Sequence, residues 1–222
     1  TGESTSGTAE DDAAARASVI KEAKMAFVAA VNAQGEQFIA EAAKAATGLA
    51  WPEVGSILLM DADGPLAEVE HTSAAAIEIA RRAGALEVRV PKDEDERQLM
   101  WKGRKSAFAA VGRLSPNYMV EDGVIPRSEI ARVLREIGRM AAEAGLRVAN
   151  VFHAGDGNLH PLVLYDARNP GEEEKASRLG GDILRLCVRL GGSITGEHGV
   201  GAEKAAYMAD MFAPEDLATM AL

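Results

Sequence analysis

One short stretch constrains the fold of this chain more than any other, the segment VFHAGDGNLH at residues 151–160. Asp156-Gly157 at its centre is a strong signal for a two-residue hairpin turn, because both positions of a type I′ turn need a positive φ. This turn places His153 opposite His160, with Cβ atoms about 5 Å apart on one face of two antiparallel strands. Two imidazoles at that separation can share one metal ion. Asn158 has the same parity as His160 and is predicted to face the same space.

The sequence around the hairpin predicts an α+β fold. Short apolar or alternating runs predict strands, and amphipathic runs between them predict helices. The predicted strands occupy 55–62, 86–90, 118–125, 146–153, 158–165 and 193–196, and the predicted helices occupy 66–83, 93–111, 128–144, 169–190 and 201–208. Because at least one connection is a tight hairpin, we expect a mostly antiparallel sheet covered by helices. Ser128 is predicted to N-cap the helix that Gly145 ends.

The first fifty residues carry a different composition. Residues 1–8 are rich in Ser, Thr and Gly and predict a disordered tail, whereas 9–46 are rich in Ala, Lys and Glu and predict helix. We therefore expect an N-terminal tail and helical segment over 1–50 and the α+β domain over 51–222. The polar, acidic start is unlike a signal peptide, and no run approaches the ~18 apolar residues of a membrane span. Since the chain begins at Thr1 rather than Met, we expect a processed form or a fragment.

Charge and cysteine content narrow the classes of partner. The net charge of −10 and the pI of about 5.0 argue against nucleic acid or an anionic membrane surface as the main partner, because both need a basic face. Anionic small molecules remain compatible, since they need only one or two local cations. The single cysteine, Cys187, lies on an apolar helical stripe, which predicts a buried and inert thiol rather than a nucleophile.

A second glycine-rich motif, GEHGVG at 196–201, offers a candidate third ligand for the same ion. Catalytic zinc needs three protein ligands and an open position. Neighbours on extended backbone point to opposite sides, so Glu197 could face the two histidines of the hairpin while His198 faces a substrate pocket. His198 would then be a base, because a histidine side chain suits proton abstraction near neutral pH. The alternative is that the glycines only serve tight turns and the histidines cap strand ends.

The remaining motifs leave one open question. The segment 196–204 lacks the Gly-Lys-Ser/Thr ending of a phosphate loop, and no G-x-S-x-G nucleophile motif occurs. The basic run WKGRK at 101–105 has two interpretations. It is either a solvated helix face, or it contains a guanidinium that clamps a substrate carboxylate in a bidentate pair.

Taken together, the motifs HAGDGNLHP, GGSITGEHGVG and WKGRKSAF resemble the C-terminal half of the FAD-linked 2-hydroxy-acid oxidases and dehydrogenases, of the glycolate oxidase and D-lactate dehydrogenase type. The likeness runs from about Val54 to Asp216. It implies a ferredoxin-like antiparallel sheet covered by helices. It also implies a bound divalent metal ion, which in this family is usually taken to be zinc. The roles it implies are metal ligation by His153, His160 and Glu197, proton abstraction by His198, and substrate binding by Arg104 and Asn158.

The resemblance also implies a reaction and a set of partners. A small 2-hydroxy acid of the glycolate or D-lactate type is oxidised to the 2-oxo acid, with the hydride passing to FAD. The family's FAD-binding domain lies N-terminal to the matched region, and nothing like it is found in this sequence. We therefore expect a substrate-binding domain that is inactive and colourless alone. The expected partners are an FAD-binding domain, electron-transfer subunits and further copies of the chain, in the cytoplasm or membrane-associated through those partners.

Two other classes of function use the same residues. A stand-alone metal-dependent hydrolase or lyase would turn over substrate without flavin, through a metal-bound water, and would lose activity on chelation. A non-catalytic interaction module would bind no metal, and its histidines would be structural. Both alternatives remain open on the sequence alone.

Overall fold

The structure, a computed structural model, describes residues 24–31 and 56–220. Two compact units make up the chain, residues 1–110 and 111–222. The predicted division into 1–50 and 51–222 stays a prediction, and the predicted tail at 1–8 lies outside the described residues.

The first unit contains a three-stranded antiparallel sheet in the spatial order β2-β1-β3. Its strands are β1 (Lys24–Val31), β2 (Ser56–Asp63) and β3 (Glu87–Arg89). Because β1 pairs with both neighbours, it is the central strand.

The strand β1 lies inside the segment 9–46 that was predicted to be helical, so that prediction is wrong for these residues. The run KMAFVAAV is apolar almost throughout, and an apolar run of this length is compatible with a strand as well as with a helix. Pairing along both edges overrides the helical propensity of its alanines. The rest of 9–46 lies outside the described residues.

The described residues of this unit also form three helices, the third of which ends at the first residue of the second unit. They are α1 (Leu66–Arg82), α2 (Glu94–Lys105) and α3 (Ala107–Val111). The side chain of Asp93 caps α2 by accepting the backbone N–H of Glu96 at 2.9 Å. The single helix predicted over 93–111 is therefore two helices separated at Ser106, a residue type whose hydroxyl competes with helical hydrogen bonds. The strands predicted at 55–62 and 86–90 and the helix predicted at 66–83 are confirmed.

The second unit contains two small antiparallel sheets and three α-helices. One sheet has the order β4-β8-β6, formed by Asn117–Val120, Pro161–Tyr165 and Arg147–Asn150, and the other pairs β5 (Gly123–Val124) with β7 (Asn158–Leu159). The helices are α4 (Ile130–Ala144), α5 (Glu172–Arg189) and α6 (Pro214–Met220), with 3-10 turns at Arg127–Glu129 and Ala205–Asp210. The predicted α+β class, with antiparallel strands packed against helices, is confirmed.

The core of the second unit lies between α4, α5 and the sheet. β8 is buried along most of its length, which fits its central position between β4 and β6. The buried apolar side chains at helical spacing are Val133, Ile137 and Ala141 on α4, and Leu179, Ile183 and Cys187 on α5. Each helix thus buries one face, as its sequence period predicted. The burial of Cys187 is confirmed.

The ends of several elements differ from the predictions. Ser128 does not N-cap α4, because a 3-10 turn formed by the N–H of Glu129 and the carbonyl of Pro126 precedes the helix. Gly145 ends α4 in the left-handed conformation, as predicted, with φ of 67°. The predicted strand at 193–196 forms only a bridge from Ser193 to Val124. The predicted helix at 201–208 is the 3-10 helix Ala205–Asp210, and α6 was not predicted.

Candidate metal centre

The histidine hairpin has a longer loop than the sequence predicted. The N–H of His153 donates to the carbonyl of Asn158 at 2.9 Å, and the N–H of Val151 donates to the carbonyl of His160 at 3.3 Å. The predicted pairing of His153 with His160 is therefore wrong, and the register differs by two residues. The physical reason is that only Gly157 of the predicted two-residue turn has a positive φ, of 73°, whereas a type I′ turn needs two such residues. Four residues, 154–157, make the loop.

The error in register leaves both histidines on the same face. A shift of one residue would have moved one imidazole to the other side of the hairpin, but a shift of two preserves the side. His153 and His160 become diagonal neighbours, which long side chains can still span. Their ring centroids lie 5.5 Å apart with the planes at 85°.

Glu197 contacts both of these histidines. Its Oε1 lies 2.9 Å from Nε2 of His160 and 3.9 Å from Nε2 of His153. Two ligand atoms at about 2.05 Å from a tetrahedral zinc ion are about 3.3 Å apart, so the two measured separations lie on either side of the expected value. All three ligand atoms lie within 4.8 Å of one another. The donor set and its spacing therefore fit a His₂Glu metal centre.

The three candidate ligands differ in exposure. The His160 side chain is 3% exposed, whereas those of His153 and Glu197 are 47% and 53% exposed. Burial lowers the pKa of His160, which keeps the ring neutral and its lone pair available to a metal. The centre is thus closed on the protein side and open on the solvent side, as a site with a free coordination position requires.

The side chain of His198 lies beside those of Glu197 and His160. Its ring stacks on that of His160 at a centroid distance of 5.1 Å, and its Nε2 lies 3.9 Å from Oε1 of Glu197. The expectation that His198 and Glu197 point to opposite sides is wrong, because the backbone here is not extended. The N–H groups of Gly196, Glu197 and His198 all donate to one carboxylate, that of Asp122, whereas successive N–H groups of a strand alternate in direction.

A cleft of about 330 Å³ adjoins the centre. It is lined by Val124, His153, Asp156, Asn158, Gly196 and Glu197. The side-chain Oδ1 of Asn158 is buried and accepts no hydrogen bond from the described part of the chain. A buried amide oxygen of this kind is normally satisfied by a hydrogen bond.

Asp122 is the member of this region that the sequence did not identify. It lies two residues after the end of β4, in an Asp-Gly pair within the strand predicted over 118–125. Its carboxylate is fully buried, with Oδ1 3.8 Å from Nδ1 of His160. Burial alone would raise the pKa of Asp122, but hydrogen bonds from the backbone of His198 and Gly196 and from the Thr195 hydroxyl bring it well below its usual range. The carboxylate is therefore charged.

Arg104 lies in the other unit from the remaining predicted site residues. It is on α2 of the first unit, whereas His153, Asn158, His160, Glu197 and His198 belong to the second. The roles given to Arg104 and to the other five residues stay predictions.

The chain is similar in sequence to known FAD-linked oxidases. The family described as FAD linked oxidases, C-terminal domain, matches residues 7–221. The glycolate oxidase subunit GlcD of Escherichia coli K12 is 51% identical over 164 residues, which are 74% of this chain and 33% of that protein. GlcD of Bacillus subtilis is 39% identical over 69% of this chain and 33% of its own length. A mitochondrial D-lactate dehydrogenase [cytochrome] of Arabidopsis thaliana is 28% identical over 64% of this chain and 26% of its own length.

These matches cover most of this chain but only part of each relative. The chain spans about a third of the length of the relatives it matches, so their activities, substrates and partners belong to proteins of greater length. Within the described residues, no helix is long and apolar enough to cross a membrane.

Proposed function

This chain belongs to the C-terminal domain family of the FAD linked oxidases, and we propose that it is the substrate-binding domain of an enzyme that oxidises a small 2-hydroxy acid to the 2-oxo acid. The observation that carries the proposal is the convergence of His153, His160 and Glu197 on one half-open centre. The identity of 51% with a glycolate oxidase subunit favours an acid of the glycolate or D-lactate type.

The metal in this proposal is a divalent ion, zinc by its donor set. Two imidazoles and one carboxylate with a free fourth position are the ligands of catalytic zinc in several enzymes. His153, His160 and Glu197 would hold it. When bound, such an ion supplies a Lewis acid that makes a substrate hydroxyl more acidic.

Three further residues of the chain are proposed to act on the substrate. His198, beside Glu197 and stacked on His160, takes the proton of the substrate hydroxyl at its Nε2. The side chain of Asn158, a residue that lines the cleft, is proposed to position the substrate beside this base. Arg104 is proposed to bind the substrate carboxylate as a bidentate pair.

The flavin belongs to a separate domain in this proposal. FAD, when bound there, supplies the acceptor of the α-hydrogen as hydride. Electron-transfer subunits, self-association, a cytoplasmic location and membrane association through partners are further parts of the same proposal. The chain alone is expected to be colourless, so near-stoichiometric flavin absorbance in the purified protein would contradict the division into two domains.

Metal binding tests the centre directly. We expect about one equivalent of zinc by elemental analysis. In competition with a chromophoric chelator, His153→Ala should lower the affinity by more than about 100-fold, since losing a ligand costs more than losing an outer partner. His71→Ala is the matched control, because His71 is an exposed histidine on α1. If the protein binds no zinc, or if both variants bind it as wild type does, the metal centre is refuted.

The rival hydrolase or lyase is separated by its need for flavin. Activity on a 2-hydroxy acid that appears only when the FAD-binding domain is added supports oxidation. An activity of the chain alone that survives flavin removal but is lost on chelation supports the rival.

A further inference from the structure

The carboxylate of Asp122 holds the segment that carries Glu197 and His198. Its Oδ2 accepts five hydrogen bonds from that segment and from one lysine. The donors are the hydroxyl of Thr195 at 2.9 Å, the N–H groups of Gly196 at 2.9 Å, Glu197 at 3.1 Å and His198 at 2.9 Å, and Nζ of Lys204 at 3.3 Å. Successive N–H groups that converge in this way form a concave anion site, which is filled here by a side chain of the same chain.

These bonds decide between two arrangements of ligands. Asp122, His160 and His198 also lie close enough together to hold a metal ion. Both oxygens of the Asp122 carboxylate already have donors. Five surround Oδ2, and Oδ1, which lies 3.8 Å from Nδ1 of His160, accepts the N–H of Glu197 at 3.3 Å. The charge of Asp122 is matched by Lys204, whose side chain is 8% exposed. A metal ion bound by Asp122 would have to compete with these donors, which favours His153, His160 and Glu197 as the ligand set.

We propose that Asp122 is a positioning residue, which fixes the Glu197 and His198 side chains by binding the backbone that carries them. The proposal rests on the function proposed above, since it takes Glu197 as a ligand. Removing the carboxylate would leave three neighbouring N–H groups without their acceptor, and the segment would move toward water to satisfy them. Residues that orient metal ligands from outside typically change metal affinity by about 10–100-fold when they are replaced.

Amide exchange in metal-free protein tests the positioning step alone. In wild type, the N–H groups of Gly196, Glu197 and His198 should be protected. In Asp122→Asn they should exchange about tenfold faster or more, while amides of α5 keep their protection. Asp166→Asn is the matched control, because Asp166 accepts bonds only from Arg168 among the contacts of its carboxylate. Unchanged protection in Asp122→Asn would overturn the proposal.

Zinc affinity tests the consequence. We expect about 10–100-fold weaker binding in Asp122→Asn and wild-type binding in Asp166→Asn. Ile137→Val is the control for general destabilisation. It lowers the stability of the core and leaves the candidate metal ligands unchanged. Wild-type zinc affinity in an Asp122→Asn protein whose segment has become exchangeable would overturn the proposal.

A second variant covers the case in which Asp122→Asn does not fold. Thr195→Val removes one donor and keeps the carboxylate, so we expect a smaller loss of protection and of zinc affinity in the same direction. No change in either measurement would overturn the proposal. If wild type binds no zinc, the metal centre fails, whereas the exchange result in metal-free protein still decides the role of Asp122.

Discussion

Gly196 offers a sharp test of how the centre is built. It lies against the side-chain amide of Asn158, and a Cβ added there would be 2.5 Å from Oδ1, 2.7 Å from Cγ and 2.9 Å from Nδ2. Ordinary contacts begin at about 3.4 Å, so the amide or the Gly196 backbone must move by roughly 0.9 Å in Gly196→Ala. Neither moves freely, because Asn158 is 7% exposed and the Gly196 N–H donates to Asp122.

The expected cost is that of an overpacked core, about 1–3 kcal/mol. For a chain of this length the melting temperature should fall by about 2–4 °C for each kcal/mol. Zinc affinity should fall as well, since Glu197 is the next residue. Gly155→Ala is the matched control: it lies in the hairpin loop, and its added Cβ meets nothing within 4 Å.

Calorimetry and chelator competition on both variants, with a double-mutant cycle, complete this test. Truncating Asn158 to Ala removes the obstacle, so Gly196→Ala should cost less in that background than in wild type. Equal costs in the two backgrounds would refute the steric explanation. The explanation would also be refuted if Gly196→Ala had the same melting temperature and the same zinc affinity as the Gly155→Ala control.

Two further predictions concern the core of the second unit. Ile137→Ala should lose about 2–5 kcal/mol of unfolding free energy in urea titration, because Ile137 lies on the buried face of α4, in the core of the second unit; a loss below 1 kcal/mol would contradict this packing. Burial raises the pKa of the Cys187 thiol to about 12, so the folded protein should react with a disulfide reagent at pH 8 far more slowly than the protein in guanidinium chloride. Equal rates in the two states would show that Cys187 is accessible.

Local chemistry explains what the sequence predicted well. Gly145 ends α4 because its position needs a left-handed backbone, and the acidic residues Glu172–Glu174 begin α5 because the helix N-terminus favours negative charge. The two hairpin histidines were placed on one face because side-chain direction in a strand has a period of two. That period survived an error of two residues in the register.

The features that were missed depend on partners distant in the chain. β1 is a strand because β2 and β3 occupy both of its edges, and no local pattern states that they will. Glu197 and His198 face the same place because Asp122, more than seventy residues earlier, gathers their N–H groups. An Asp-Gly pair after a strand gives a signal for a turn, so the sequence could not distinguish this acceptor from a loop residue.

The separation of Asp122 from its partners has a consequence for folding. The bond to the Gly196 N–H joins residues 74 apart, and the enclosed chain includes α4, the histidine hairpin and α5. Closing a loop costs more entropy as it lengthens, so contacts within the enclosed part have a lower entropic barrier than the bond that encloses them. We expect α4, α5 and the sheet to assemble first and the Asp122 bonds to form late. A partly folded chain would then have a packed core, while the segment that carries Glu197 and His198 would not yet be bound to Asp122.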